Sequence, residues 1–205
     1  MYEKLEERFG AVHCPLTYSQ PHELCIAVIL SAQCTDQRVN LVTPALFARF
    51  KTPAEFANAD RIELEELIHS TGFYHNKARS IQGFAQSLVE THGGIVPNNM
   101  KDLVAMPGIG RKTANVVMQE LYGLVDGIVV DTHVLRLSKL LKLTKHSDAV
   151  KVERDLIQAI PRKYWMNWSL YMIFLGRSCC TARKRNCNEC ILSNLCPSST
   201  LKNGA

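Results

Sequence analysis

Two cations at the start of a helix and a group of closely spaced cysteines are the residues best placed to do chemistry in this sequence. Arg111 and Lys112 follow Pro107-Gly108-Ile109-Gly110, a proline-led turn with two glycines able to adopt positive φ. Such a turn leaves the backbone N–H groups of Gly108, Gly110 and their neighbours pointing outward at a helix N-terminus, which is a ready anion site. The helix macrodipole disfavours cations there by roughly 0.3 to 1 kcal/mol each, so something must offset that cost. A bound phosphate does so for Arg111. For Lys112 two readings stand side by side. It is a second phosphate contact without chemistry, or it is a nucleophile, because positive potential from the helix end and from Arg111 favours the neutral amine.

The eight cysteines are unevenly spread. Cys14, Cys25 and Cys34 stand alone in ordinary segments and read as buried or idle thiols. Cys179, Cys180, Cys187, Cys190 and Cys196 crowd into the last part of the chain, and in a reducing compartment such a group indicates metal rather than disulfides. Cys180, Cys187, Cys190 and Cys196 fall in a C-x6-C-x2-C-x5-C pattern, four thiolates within one compact loop. That set suits either tetrahedral zinc or an iron–sulfur cube. Zinc sites usually place their cysteines as two close pairs. Here only Cys187 and Cys190 are close, which tilts the reading toward iron–sulfur, while spacing does not choose between Cys180 and Cys179 as the first ligand. Arg183, Lys184 and Arg185 lie between the first two ligands. A metal pinning this loop makes them an ordered phosphate-contact surface; without it they are a solvated charge run.

Asp131 immediately precedes a helical run and reads first as an N-cap. A carboxylate there can also stabilise nearby cationic character or take part in proton transfer involving Lys112. His133 reads as a packed or surface histidine.

The elements that must hold these groups read as helices throughout. Leu103–Gly123 is predicted to form a short helix, a tight turn and a second helix, with Ala114, Val117, Met118 and Leu121 on one face and Gly123 as the stop. Before it come an amphipathic helix ending at Phe9, an all-apolar and hence buried helix over Glu23–Gln33, and a helix over Asp36–Phe50 that Pro44 kinks or splits. Short helices follow at Pro53 and over Arg61–Ser70, then a long one over Lys77–Thr91. After the hairpin, helices are expected over Asp131–Leu143, from Ser147-Asp148 to Pro161, and over Trp165–Gly176. No stretch alternates as a strand does, and nothing repeats: the chain is all-α.

A chain of 205 residues is one large or two small domains, and its charge of +5 hints at a polyanionic partner. No window approaches the roughly 18 uncharged apolar residues of a membrane span, and MYEKLEERFG is too acidic for a targeting signal. A soluble, cytoplasmic protein is expected.

GIGRK in the hairpin, VDTHVLR about twenty residues later and the terminal cysteine pattern together resemble the endonuclease III family, as do SAQCTD at Ser31–Asp36 and TGFYHNKA at Thr71–Ala78. These are iron–sulfur DNA glycosylases and AP lyases of the helix-hairpin-helix superfamily. The resemblance implies a six-helix domain over 16–125 and a cluster domain of 1–15 with 126–205. It implies a monomer acting on duplex DNA that holds an oxidised pyrimidine or an abasic site. By matching motif, Lys112 is the nucleophile that attacks C1′ and Asp131 the assisting carboxylate. Cys180, Cys187, Cys190 and Cys196 are the ligands of a [4Fe–4S] cluster. Gln33 fills the gap left by the extruded base, Phe73 is the wedge on the opposite strand, and Gly108, Gly110, Arg111, Arg183, Lys184 and Arg185 contact the DNA backbone. The wedge is commonly leucine in the family, and Cys34 stands where alanine is familiar. Three rivals remain: an adenine-mismatch glycosylase, which lacks the hairpin lysine and carries a further C-terminal domain; a zinc-stapled DNA-binding module; and an electron-transfer protein. Lys112 and the end at Ala205 weigh against the first.

Overall fold

The structure is a computed structural model and describes residues 1–203. The chain divides into two compact units, Pro15–Leu124 and Met1–Cys14 with Val125–Ala205. Among the described residues all regular structure is helical apart from one isolated antiparallel bridge between Cys180 and Arg185.

The unit Pro15–Leu124 is built from α2 (Pro21–Leu30), α3 (Asp36–Arg49), α4 (Pro53–Ala57), α5 (Arg61–Ile68), α6 (Tyr74–His92), α7 (Met100–Ala105) and α8 (Arg111–Tyr122), with α1 (Tyr2–Phe9) belonging to the other unit. α2 is its centre, because PHELCIAVIL offers no polar face, and the helix packs against α3, α6 and α8. Its entry is fixed by a capping box in which the Glu23 carboxylate accepts from the Gln20 N–H at 3.0 Å. It stops at Leu30, three residues short of the expected end, so Gln33 lies in the following turn with φ 53. Pro44 does not split α3, which runs unbroken from its Thr35 cap to Arg49. α6 starts at Tyr74 rather than Lys77 and buries Ala78, Ile81, Phe84, Ala85 and Leu88 against its neighbours. Fully burying each large apolar side chain of this kind is worth about 1.5 to 3 kcal/mol.

The second unit joins α1 to α9 (Thr132–Leu140), α10 (Ala149–Ala159) and α11 (Trp165–Ser178). Its core contains Leu5, Val134, Leu137, Val152, Leu156, Trp168, Tyr171, Met172 and Leu192. The Tyr171 hydroxyl donates to the Gly10 carbonyl at 2.9 Å, tying the two ends of the sequence together. After α11 the chain makes the cysteine loop. There Thr181 N–H donates to the Lys184 carbonyl at 3.0 Å, and Lys184 N–H donates back to Thr181 Oγ1 at 3.0 Å. No helix among the described residues is long and apolar enough to cross a membrane.

Candidate functional site

The hairpin is α7, the turn Met106–Gly110 and α8. Asn99 caps α7 by accepting from Asp102 N–H at 2.9 Å, and Gly110 caps α8 with its carbonyl accepting from Ala114 N–H at 2.9 Å. The two glycines do different work. Gly108 is left-handed at φ 79, and a Cβ on it would lie 2.7 Å from Cβ of Ser80. The turn thus rests on α6 at a distance only glycine allows, helped by Gly83, whose Cβ would lie 2.9 Å from Pro107. Gly110 corrects the expectation of a second positive φ: as an N-cap it must be extended, at φ −86 and ψ 173. A Cβ on Gly110 would meet nothing within 4 Å, so the space beside it is open.

The N–H groups of Gly108 and Gly110 have no acceptor among the described residues, and the first amides of α8 have none within the helix. Arg111 and Lys112 are exposed on that first turn, while Ala114, Val117 and Met118 face the core. A row of donors with two exposed cations and no carboxylate in the turn favours a phosphate.

Gln33 and Phe73 are two of three non-glycine residues with positive φ among the described residues, at 53° and 50°. Holding such a residue left-handed costs of order 1 to 3 kcal/mol and persists only where the surroundings enforce it. Both are exposed, Phe73 at 62 %. A phenyl ring standing in solvent on a strained corner is a feature that packing within the unit does not explain.

Asp131 caps α9, its Oδ1 accepting from Val134 N–H at 2.8 Å, which leaves Oδ2 for other work. His133 packs against Gly176, where a Cβ would lie 2.4 Å from Nδ1. Its Nδ1 is buried without a partner among the described residues, and burial, the larger influence, lowers its pKa against the opposing effect of Asp131. It is a packed histidine.

The cysteine loop closes round a small cavity lined by Leu140, Cys179, Cys180, Cys187, Cys190 and Cys196. Among the described residues no three His, Cys, Asp or Glu side chains are grouped as they would be round a single metal ion. The thiols line the cavity wall, and sulfur donors of this kind suit zinc and iron–sulfur groups alike. Burial raises the pKa of Cys180 and takes Cys190 to about 11, which disfavours their thiolate forms unless a cation stands beside them. Cys179 Sγ donates to the Leu175 carbonyl at 3.8 Å within α11, whereas Cys180 Sγ accepts from Arg136 Nη1 at 4.0 Å. Of the three cations between Cys180 and Cys187, Arg185 donates to the Ser198 carbonyl at 3.1 Å. Arg183 and Lys184 project from the ordered turn.

The expected residues thus gather at separate places. Gln33, Phe73, Gly108, Gly110, Arg111 and Lys112 belong to the unit Pro15–Leu124, while Asp131, the four cysteines and the three cations belong to the other. A cavity of about 570 Å³ at the start of α2, lined by His22, Phe47, Lys51 and Tyr122 among others, contains none of them. Sequence reasoning passed over Arg136 and Lys77. Lys77 had a visible signal: it falls on the apolar stripe of α6 with Ile81 and Leu88, where a charge is out of place.

Residues 26–162 match the HhH-GPD superfamily of base excision DNA repair proteins. Endonuclease III of Synechocystis sp. is 51% identical over 195 residues, covering 95% of this chain and 89% of that protein. Endonuclease III of Bacillus subtilis is 43% identical over the same shares. A solved structure of a trapped endonuclease III–DNA covalent intermediate superposes with a TM-score of 0.91 at 41% identity, covering 98% of this chain and 95% of that one. A thermostable thymine-DNA glycosylase, at TM-score 0.81 and 19% identity, shares the fold. With an all-helical fold, a hairpin presenting Arg111 and Lys112, and likeness over nearly its whole length, the chain belongs to the endonuclease III family of HhH-GPD base excision DNA repair proteins.

Proposed function

We propose that the chain is a DNA glycosylase and AP lyase that removes oxidised or ring-saturated pyrimidines from duplex DNA and cuts 3′ to the abasic site. The observation that carries the reading is the hairpin: the turn amides of Gly108 and Gly110, with open space at Gly110, lie beside the exposed Arg111 and Lys112 of the first turn of α8.

The target nucleotide must leave the stack before its sugar is reached, at a cost of a few kcal/mol. Gln33 and Phe73 offset this by occupying the void. The unprotonated Lys112 amine attacks C1′ and the base departs with the bonding electron pair. Ring opening gives a Schiff base, and loss of a C2′ proton expels the 3′ phosphate by β-elimination. The Asp131 carboxylate balances positive charge along this path. Arg183 and Lys184 contact the backbone at a second place, with Arg185 ordering their loop.

The donor set fits a [4Fe–4S] cluster held by Cys180, Cys187, Cys190 and Cys196, which line one cavity. Bound by these four thiolates, such a cluster would cross-link the loop that carries Arg183, Lys184 and Arg185. The hairpin-bearing domain, in which seven α-helices rather than the expected six are described, is proposed over 16–125 and the cluster domain over 1–15 with 126–205, acting as a cytoplasmic monomer.

The test is incubation with duplexes bearing thymine glycol, an abasic site or an A·G mismatch, with and without borohydride. Covalent adduct is expected on the first two and not on the third. Lys112→Gln, exposed and therefore harmless to the fold, should form none. Adduct formed by Lys112→Gln at the parental rate overturns the proposal.

A further inference from the structure

We propose that Lys77 is a positioning residue that holds the corner carrying Phe73 in its projecting shape; this rests on the reading of Phe73 as the wedge.

Lys77 is only 5 % exposed, yet it has no carboxylate partner among the described residues. Burying an ammonium without a counter-charge is expensive, so its hydrogen bonds must serve something. Nζ donates to the Thr71 carbonyl at 2.8 Å, and the Lys77 backbone N–H donates to the Phe73 carbonyl at 3.1 Å. One residue therefore clamps the chain on both sides of Gly72-Phe73. Those two are consecutive positive-φ residues, Gly72 at φ 70 and ψ 158 and Phe73 left-handed at φ 50 and ψ 28. The far side of the corner is anchored as well: Thr71 is buried, its Oγ1 donates to the Ile68 carbonyl at 2.8 Å, and Gly72 N–H donates to His69 at 3.2 Å.

Without the Nζ bond, the Thr71 carbonyl loses its tie to α6 and Phe73 is held in solvent less firmly. Its ring buries little where it is, and its backbone relaxes by leaving the left-handed region, which turns the side chain elsewhere. An apolar residue at position 77 would fill the same stripe of α6 and leave the buried Thr71 carbonyl unpaired. Cys34, the neighbour of Gln33 in sequence, also lies close enough to Lys77 to interact with it electrostatically.

Lys77→Gln, Phe73→Ala and the double variant test this in the full-length protein. In Lys77→Gln, amide hydrogen exchange over residues 71–74 should quicken about tenfold, with α8 unchanged. Single-turnover excision of thymine glycol should slow about tenfold, while borohydride adduct on a duplex with a preformed abasic site, which has no base to unstack, stays within about twofold. A 2-aminopurine placed opposite the lesion should brighten less than with the parent. The double variant should be no slower than Phe73→Ala alone. Unchanged exchange at 71–74, equal slowing on the abasic duplex, or losses that add with Phe73→Ala each overturn the proposal. Lys77→Met carries the same comparison if the glutamine variant does not fold. Absence of adduct with the parent protein refutes the proposed activity instead, and the exchange measurement then decides the clamp by itself.

Discussion

Gly108→Ala tests how the hairpin turn is seated, with Gly110→Ala as its control. At φ 79 an alanine incurs roughly 1 to 2 kcal/mol of left-handed strain. Its Cβ also falls 2.7 Å from Cβ of Ser80 and 3.3 Å from Cδ1 of Ile29. The Ile29 methyl can rotate away, but Cβ of Ser80 is fixed to the backbone of α6, so the turn must lift off α6, at about 1 to 3 kcal/mol more. The sum is about 2 to 5 kcal/mol of stability in the unit Pro15–Leu124. Gly110 is at φ −86 with open space round a Cβ, so the gain of up to about 1 kcal/mol through the unfolded chain offsets the about 0.5 to 1 kcal/mol by which alanine is the poorer N-cap, and the variant should be near neutral. Urea unfolding followed by far-ultraviolet circular dichroism gives both numbers, provided the two slopes agree. Duplex affinity by fluorescence anisotropy then separates seating from contact: Gly110→Ala should fold like the parent yet bind an abasic duplex more weakly, because its methyl group stands beside the phosphate-gripping amides. Equal urea midpoints for the two alanine variants would refute the reasoning.

Asp131→Asn keeps an oxygen to accept from Val134 N–H, so it should melt with the parent, bind damaged duplex and cut it far more slowly; an unchanged cutting rate would leave Asp131 as a cap only. Arg183→Gln and Lys184→Gln should each lower the slope of log affinity against log salt by about 1, with little effect on the rate of adduct formation at saturation. Loss of adduct instead would place them in the chemistry. His22 is 7 % exposed with Nε2 unpartnered among the described residues, and burial holds its pKa below the ordinary 6.5. The unfolded chain therefore binds the extra proton first, and the stability present above pH 6.5 is lost as pH falls below it. Urea midpoints at pH 7.5 and 5.0 should drop less for His22→Phe than for the parent, and parallel drops would remove His22 as the cause.

The sequence by itself determined the elements and the chemistry on offer. Apolar spacing at three and four residues made every segment a helix, the proline and glycines placed the hairpin turn, and the cysteine spacing marked a candidate metal loop without choosing between Cys179 and Cys180, because each depends on residues close together in the chain. Local pattern also misjudged some ends. Gln33 has a composition that continues α2, yet the helix stops at Leu30 and the residue turns left-handed. Tyr74 looked like loop, but the strained corner at Phe73 starts α6 three residues before the apolar stripe begins. Only tertiary structure decided that Gly108 meets Ser80 while Gly110 faces open space, that Arg136 reaches Cys180, and that Tyr171 reaches Gly10. Each of these is a contact between residues distant in sequence or a distance of closest approach, and neither is written in the periodicity of one segment.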